Sequence, residues 1–249
     1  MPTADPSSVL VAHRGDTAAA PENTIPAVQA ALVAGARFVE FDVQLTADEV
    51  PVVIHDERLA RTAGVDRSVH DLTADELASI GVRMPGSPAS DGVAIPTLDA
   101  MIGVIRLAPT VTAFVEIKRS SLRRFGRTVV VDRVSPPLAA APTQVVVISY
   151  DAGAIRETRE RLGRRIGWVI ERWDDTSRVE AERLAPDFLF ADRRTLRADD
   201  TPLWAGAWTW VVFDVDDPAD ARRLSQRGVT LFETRTFAAT AAAFREAGP

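Results

Sequence analysis

Two of the three histidines in this 249-residue chain, His13 and His55, each end a short apolar run. Between them, Glu40 and Asp42 stand two residues apart on another run, and Glu116 and Lys118 repeat that spacing further on. Side chains at i and i+2 of a strand point to the same face, so each pair converges if its run is extended. Two histidines can divide general acid and general base work, because imidazole titrates near neutrality. Three inward-facing carboxylates are costly together unless a cation neutralises them. Oxygen ligands without thiolates suit a hard divalent ion, Ca²⁺ or Mg²⁺, ahead of zinc. Glu40, Asp42 and Glu116 bring −3 and Arg14 and Lys118 bring +2, so with neutral histidines the set carries −1. A divalent ion turns it to +1 and makes it attractive to a singly charged phosphodiester. One phosphoryl oxygen would then sit on the metal, with Arg14 and Lys118 holding the others. Lys118 is the single lysine among 29 basic residues, which hints at a position needing a compact ammonium rather than a forked guanidinium.

These residues need elements that bring them to one place. Apolar runs at 9–12, 37–43, 51–54, 111–117, 144–150, 165–170, 187–190, 208–215 and 229–234 read as strands. The second alternates, with Phe38, Glu40 and Asp42 on one face and Val39, Phe41 and Val43 on the other. Helical patterns separate the runs: one begins after Thr24 and ends near Gly35, and others cover 97–107, 121–133, 151–163, 174–184, 217–227 and 236–246, with a short one near 193–203. Thr24, Asp151 and Asp217 are suited to capping, and Gly163 and Gly228 to ending, the helices they flank. Residues 57–96 are polar and rich in Gly and Pro, an insertion after the His55 run that holds one helix around LTADELASIG. Strands alternating with helices argue for parallel βαβ units. About eight such units without a dividing linker predict one α/β domain over 1–249, a (β/α)8 TIM barrel, with residues 1–7 flexible. A doubly wound open sheet is the alternative; the lack of a GxGxxG loop weakens its dinucleotide-binding form. In a barrel the active site lies at the C-terminal ends of the strands, where His13, Glu40, Asp42, Glu116 and Lys118 fall.

Composition bounds the function. A formal charge of −6 argues against nucleic acid or an anionic membrane as partner. With no cysteine, disulfides, thiolate catalysis and zinc–sulfur sites are excluded. No apolar run reaches the ~18 residues of a membrane span, and MPTADPSS is no secretory signal. The expectation is a cytoplasmic protein acting on a small molecule. His70, in the polar insertion, matches no motif and is expected in a solvated loop. Trp168, Trp173 and Trp204 read as packing residues.

The sequence resembles the glycerophosphodiester phosphodiesterase family, related to phosphatidylinositol-phosphodiesterase-type TIM barrels. His13-Arg14-Gly15, Pro21-Glu22-Asn23-Thr24, Glu40-Phe41-Asp42-Val43, Thr46-Ala47-Asp48, Pro51-Val52-Val53 to His55-Asp56, Ile95-Pro96-Thr97-Leu98 and Glu116-Ile117-Lys118 carry the resemblance. It covers nearly the whole chain, more weakly in the C-terminal half, where Ser149-Tyr150 is similar to a Ser-Phe pair of the family. It implies hydrolysis of glycerophosphodiesters to glycerol 3-phosphate and an alcohol. The same resemblance implies Glu40, Asp42 and Glu116 as ligands of a divalent metal, His13 and His55 as the acid–base pair, Arg14 and Lys118 as phosphate-binding, and Glu22 as a supporting residue. Attack by the substrate's own glycerol hydroxyl through a cyclic phosphate and direct attack by water both fit. Two departures stand out: Glu233-Thr234-Arg235 replaces the family's Thr-Asp, and Asp214 and Asp216 replace Thr and Asn. They are expected to leave the metal and acid–base set intact and to bear on how the glycerol or the leaving alcohol is held. The competing readings are a lysophospholipase D-like activity on a bulkier lipid, with an apolar mouth formed by loop 81–96 and the tryptophans, and a non-catalytic phosphodiester-binding barrel.

Overall fold

The run ending at His13 forms β1 (Leu10–His13), and α1 (Ile25–Val33) follows it in a computed structural model that describes residues 5–88, 92–142, 144–196 and 201–247. Next come β2 (Phe38–Leu45), β3 (Pro51–Val53), α2 (Ala60–Ala63), α3 (Ala74–Ala78), β4 (Gly81–Val82), β5 (Val93–Ala94) and α4 (Leu98–Arg106). The remainder runs β6 (Thr112–Ile117), α5 (Arg119–Phe125), α6 (Arg127–Ala139), β7 (Val145–Ser149), α7 (Ala152–Leu162), β8 (Ile166–Ile170) and α8 (Asp175–Leu184). It ends with β9 (Phe188–Asp192), β10 (Thr209–Phe213), α9 (Pro218–Gln226), β11 (Leu231–Thr234) and α10 (Phe237–Ala247). Strands β1, β2 and β6 to β11 pair in parallel, and β1 pairs with both β2 and β11, which closes the sheet into the expected (β/α)8 barrel. The short β3 lies antiparallel on the far end of β2.

Period-2 alternation sorts the strand residues. Val11, Phe114, Val146, Ile148, Val169, Phe188, Phe190, Val211 and Leu231 fill the interior. Phe114 meets Phe188 and Phe190 edge-on at 5.0 and 5.1 Å and stacks on Phe38 at 6.2 Å, an aromatic floor across the barrel. A Cβ at position 167 would lie 2.8 Å from both Ile148 and Phe190, so glycine is what lets this layer close. The outward residues join the helices in the larger core. Helices start where the sequence places side-chain caps: Thr24, Thr97, Asp151, Asp174 and Asp217 each accept from a backbone N–H of the first turn. Above the floor, the next inward positions are His13, Glu116, Asp192 and Glu233 at or next to the C-terminal ends of their strands, and Glu40 and Asp42 on β2, which runs on to Leu45 beyond them.

Several expectations are corrected. The helix predicted over 121–133 is two, α5 and α6, separated at Gly126, whose φ of +86° favours glycine. No helix occurs between β9 and β10 among the described residues; residues 197–200, inside the predicted 193–203 helix, lie outside them. There Leu196, Leu203 and Trp204 pack on the outer core. Trp173 stacks on Trp204 at 4.1 Å, and Trp210 Nε1 donates to the Trp204 carbonyl at 3.0 Å. The insertion 57–96 has its own apolar cluster, with Leu59, Val69, Leu72, Leu77 and Val82 against Val52 and Ile54. His70 is buried, not solvated: its Nε2 lies 3.0 Å from Gln44 Oε1 and 3.2 Å from Ser121 Oγ, with Phe125 edge-on at 5.3 Å. Its polar sequence neighbours conceal this, because β2 and α5 supply the cover. Of the terminal segment expected to be flexible, residues 1–4 lie outside the described residues, whereas Pro6–Ser8 forms a 3₁₀ turn capped by Asp5. Among the described residues no helix is long and apolar enough to cross a membrane.

Candidate active site

Each strand end delivers its side chain to one cavity of ≈ 270 Å³, lined by His13, Arg14, Glu40, His55, Glu116 and Lys118 together with Tyr150, Asp192, Phe213, Asp214, Glu233 and Arg235. A larger depression, ≈ 350 Å³, lies between Trp173, Arg178, Leu203 and Trp204. It holds no histidine and none of the paired strand residues, so the smaller cavity is the candidate.

Glu40, Asp42 and Glu116 each bring a carboxylate oxygen within 4.8 Å of the others, and all three are buried. Lys118 Nζ lies 2.9 Å from Glu116 Oε1 and 3.1 Å from Asp42 Oδ1. Arg14 Nε lies 3.2 Å from Asp42 Oδ2, while its Nη1 donates to Glu22 Oε1 at 3.0 Å. Asn23 holds Asp42 from behind: its amide donates to Oδ2 at 2.8 Å and its Oδ1 accepts from the Asp42 backbone N–H at 3.0 Å. The backbone at Arg14 takes φ +60°, and its N–H donates to Glu40 Oε2 at 3.1 Å. The next residue must be small: a Cβ at Gly15 would lie 2.5 Å from the Ala27 carbonyl carbon at the start of α1. Glu40 Oε1 is buried and left without a hydrogen-bond partner.

Both cavity histidines are anchored through Nδ1 by an aspartate that an arginine holds in turn. His13 Nδ1 lies 2.5 Å from Asp214 Oδ1, and Arg235 Nε lies 3.2 Å from Asp214 Oδ2. His55 Nδ1 lies 2.6 Å from Asp56 Oδ1, and Arg61 Nε donates to Asp56 Oδ2 at 2.5 Å. Arg61 also grips Glu22 with both terminal nitrogens, at 2.9 and 2.7 Å. Glu22 therefore stands behind Arg14 and joins it to the His55 support. With Nδ1 occupied, Nε2 of each imidazole is the nitrogen free for a ligand; that of His13 lies 3.8 Å from Glu40 Oε2.

Burial and mutual repulsion divide the acids. Glu40 is pushed well above the usual carboxylate range by burial and by Asp42, Glu233 and Glu116; Glu116 is raised by burial and Asp42. Asp42, though burial opposes it, is pulled well below by Lys118 and Arg14 and stays ionised. Burial lowers His13, and Asp214 works against that by favouring the imidazolium. Burial raises Glu233 strongly, helped by Asp214, Glu116 and Asp42. Oxygen-only ligands, their closeness and the orphaned Glu40 oxygen fit a hard divalent cation.

The model of the Glycerophosphoryl diester phosphodiesterase family matches residues 13–232. The chain belongs to that family. Over 91 residues it is 42% identical to a glycerophosphodiester phosphodiesterase of Caldanaerobacter subterraneus subsp. tengcongensis, covering 36% of this chain and 37% of that protein. Over 114 residues it is 36% identical to the Bacillus altitudinis glycerophosphodiester phosphodiesterase, covering 46% of each chain. The alignments thus span less than half the length of these curated relatives. In fold it is similar to an Oleispira antarctica phosphodiesterase solved with the product sn-glycerol-3-phosphate, with TM-score 0.81, 21% identity and coverage of 95% and 96% of the two chains. It is also similar to the Thermotoga maritima glycerophosphodiester phosphodiesterase, with TM-score 0.68, 23% identity and coverage of 92% and 95%.

All eight residues expected in the site of this family member gather here, seven lining the cavity or contacting one another across it and Glu22 behind Arg14. Sequence reasoning gave no site role to Asn23, Asp56 and Arg61, and took Asp214, Glu233 and Arg235 only as departures bearing on how the glycerol or the leaving alcohol is held. Asp214 is more than a departure at the alcohol end, because it touches His13 directly. The charge count also changes: with Asp214, Glu233 and Arg235 included, five acids face three cations and the set carries −2. The signal for Glu233 was its place two residues after inward-facing Leu231 on the last strand. None of the tryptophans proposed for an apolar mouth lines the cavity; Trp168 Nε1 donates to the Tyr150 carbonyl at 3.2 Å.

Proposed function

We propose that this cavity hydrolyses glycerophosphodiesters to glycerol 3-phosphate and an alcohol, with His13 and His55 as the acid–base pair. The observation that carries the reading is the pairing of two Nδ1-anchored histidines with a buried three-carboxylate cluster in one cavity. Family membership and the product complex of the Oleispira protein support the same substrate class.

Glu40, Asp42 and Glu116 would hold a divalent cation, Ca²⁺ or Mg²⁺, which when bound supplies charge stabilisation at a phosphoryl oxygen. Arg14 and Lys118 border that cluster through Asp42, and their cationic heads orient the remaining phosphoryl oxygens. Asp214 and Asp56 hold the Nδ1–H tautomers, leaving Nε2 as the working nitrogen of each ring. One imidazole removes the proton from the attacking oxygen, which is either water or a substrate hydroxyl; in the second case the cyclic phosphate formed is opened by water to give glycerol 3-phosphate. The other delivers a proton to the oxygen of the departing alcohol as its bond to phosphorus breaks. Asn23 and Glu22 keep Asp42 and Arg14 in place. Among the described residues none of the tryptophans expected at an apolar mouth lines the cavity, and residues 89–91 of the loop expected with them lie outside the described set; this favours the deacylated substrate.

The test is release of glycerol 3-phosphate from glycerophosphocholine, with lysophosphatidylcholine alongside, in Ca²⁺, Mg²⁺ or chelator. Activity that chelator abolishes and that His13→Ala lowers by about 10²-fold or more is expected. Full activity in chelator would sink the cation assignment, and a near-normal His13→Ala protein would remove His13 from the pair.

A further inference from the structure

One acid in the cavity has no partner and no task in this scheme. Glu233, at the end of β11, is 2% exposed, lies two positions beyond inward-facing Leu231, and contributes to the cavity wall beside His13 and Glu40. Its Oε1 is buried with no hydrogen-bond partner. It is outside the carboxylate cluster suited to a cation, which comprises Glu40, Asp42 and Glu116. The cavity's cations are engaged elsewhere: Arg14 with Glu22 and Asp42, Lys118 with Asp42 and Glu116, Arg235 with Asp214, and Arg194 with Asp192. A buried polar atom left unpaired by its own protein is satisfied when the ligand brings the partner.

The surroundings select that partner. A phosphoryl group belongs against Arg14, Lys118 and the carboxylate cluster, so Glu233 meets the organic part of the substrate. Burial and the nearby Asp214 push the Glu233 carboxyl well above the usual carboxylate range, and a protonated carboxyl both donates and accepts. A hydroxyl also both donates and accepts, whereas an ammonium only donates and needs an ionised acid. Phe213, Phe190 and Val169 line the cavity with it and offer no competing side-chain donor.

We propose that Glu233 is a specificity-determining residue that hydrogen-bonds a hydroxyl of the substrate's glycerol. The inference rests on the phosphodiester reading of the cavity, and binding separates the two. Calorimetry would compare sn-glycerol 3-phosphate with propyl phosphate, which lacks both hydroxyls, in the presence of Mg²⁺. The unaltered protein is expected to prefer glycerol 3-phosphate by about 10²-fold. Glu233→Leu should reduce that preference to within about threefold while propyl phosphate binds as before, and Glu233→Gln, which keeps a donor and an acceptor, should retain most of it. A purely structural role would weaken both ligands together and leave their ratio intact. A ratio near one in the unaltered protein, or an unchanged ratio in Glu233→Leu or a collapsed one in Glu233→Gln, overturns the proposal. Turnover of glycerophosphocholine is scored separately. Discrimination without turnover would sink the hydrolytic reading alone, and turnover with an unchanged ratio would sink the Glu233 assignment alone.

Discussion

A divalent cation should stabilise this protein, and more strongly as pH rises. Glu40 and Glu116 are both held above the ordinary carboxylate range, Glu40 by burial and three neighbouring acids, Glu116 by burial and Asp42. A cation that takes their oxygens competes with protons for them. Each displaced proton is worth a tenfold change in affinity per pH unit, or about 1.4 kcal/mol. The linkage sign for the cation-free protein runs the other way. An acid whose folded pKa is raised stabilises the fold below its ordinary pKa, and that contribution is lost as pH climbs through the raised value. The contribution of Glu40 and Glu116 to cation-free stability should therefore fall as pH rises through their raised values, above the range where the depressed Asp42 titrates, and a cation should restore it. A ligand at about a thousandfold over its Kd adds about 4 kcal/mol. At about 2–4 °C per kcal/mol for a chain of this size, the melting temperature should rise by about 8–16 °C. Thermal melting in chelator and in Ca²⁺, Mg²⁺ or Mn²⁺ at pH 6 and pH 7.5 measures both effects. A melting temperature that no cation moves, or an apparent affinity greater at pH 6 than at pH 7.5, would refute the reasoning.

Lys118→Met strips Asp42 and Glu116 of a buried cation at 3.1 and 2.9 Å. Losing one partner of a buried pair costs about 3–5 kcal/mol, a melting decrease of about 6–20 °C that saturating cation should partly recover; a decrease no smaller with cation would argue against the shared site. Asp214→Thr removes the 2.5 Å anchor of His13. It should lower kcat on glycerophosphocholine by about 10²-fold with little change in KM; parity within twofold would mean His13 needs no such anchor. His70→Ala leaves buried Gln44 and Ser121 short of a partner, costing about 1–3 kcal/mol while kcat stays within about threefold. A large loss of turnover without a melting change would instead put His70 in the chemistry.

The spacing of Glu40 with Asp42, and of Glu116 with Lys118, was legible because strand alternation is a local property: i and i+2 share a face whatever the rest of the chain does. His13 and His55 were legible as ends of apolar runs for the same reason. His70 was not, since the groups that bury it come from β2 and from Phe125 on α5. Likewise, the split at Gly126 turns on a single positive φ within a helical pattern. Asp214 lies 201 residues from the histidine it orients. No sequence window joins them; they meet because β10 and β11 come round to β1 when the barrel closes.

That closure makes the two halves of the acid–base pair unequal. The support of His55 is local, with Asp56 next to it and Arg61 reaching Glu22 and, through it, Arg14. His13 depends on Asp214 and Arg235, which arrive across the β1–β11 seam where Leu10, Val11 and Ala12 pair with Phe232, Glu233 and Thr234. A seam of three residue pairs is a short stretch of ladder on which to hang one catalytic nitrogen. Substitutions that loosen β11 should therefore disorder the His13 anchor while leaving the carboxylate cluster, which is built on β2 and β6, able to hold a cation. Cation binding and turnover would then separate. A Phe232→Ala protein that still gains stability from a divalent cation but has lost most of its kcat would carry that signature. Proportional loss of both would place the weak point in the barrel as a whole.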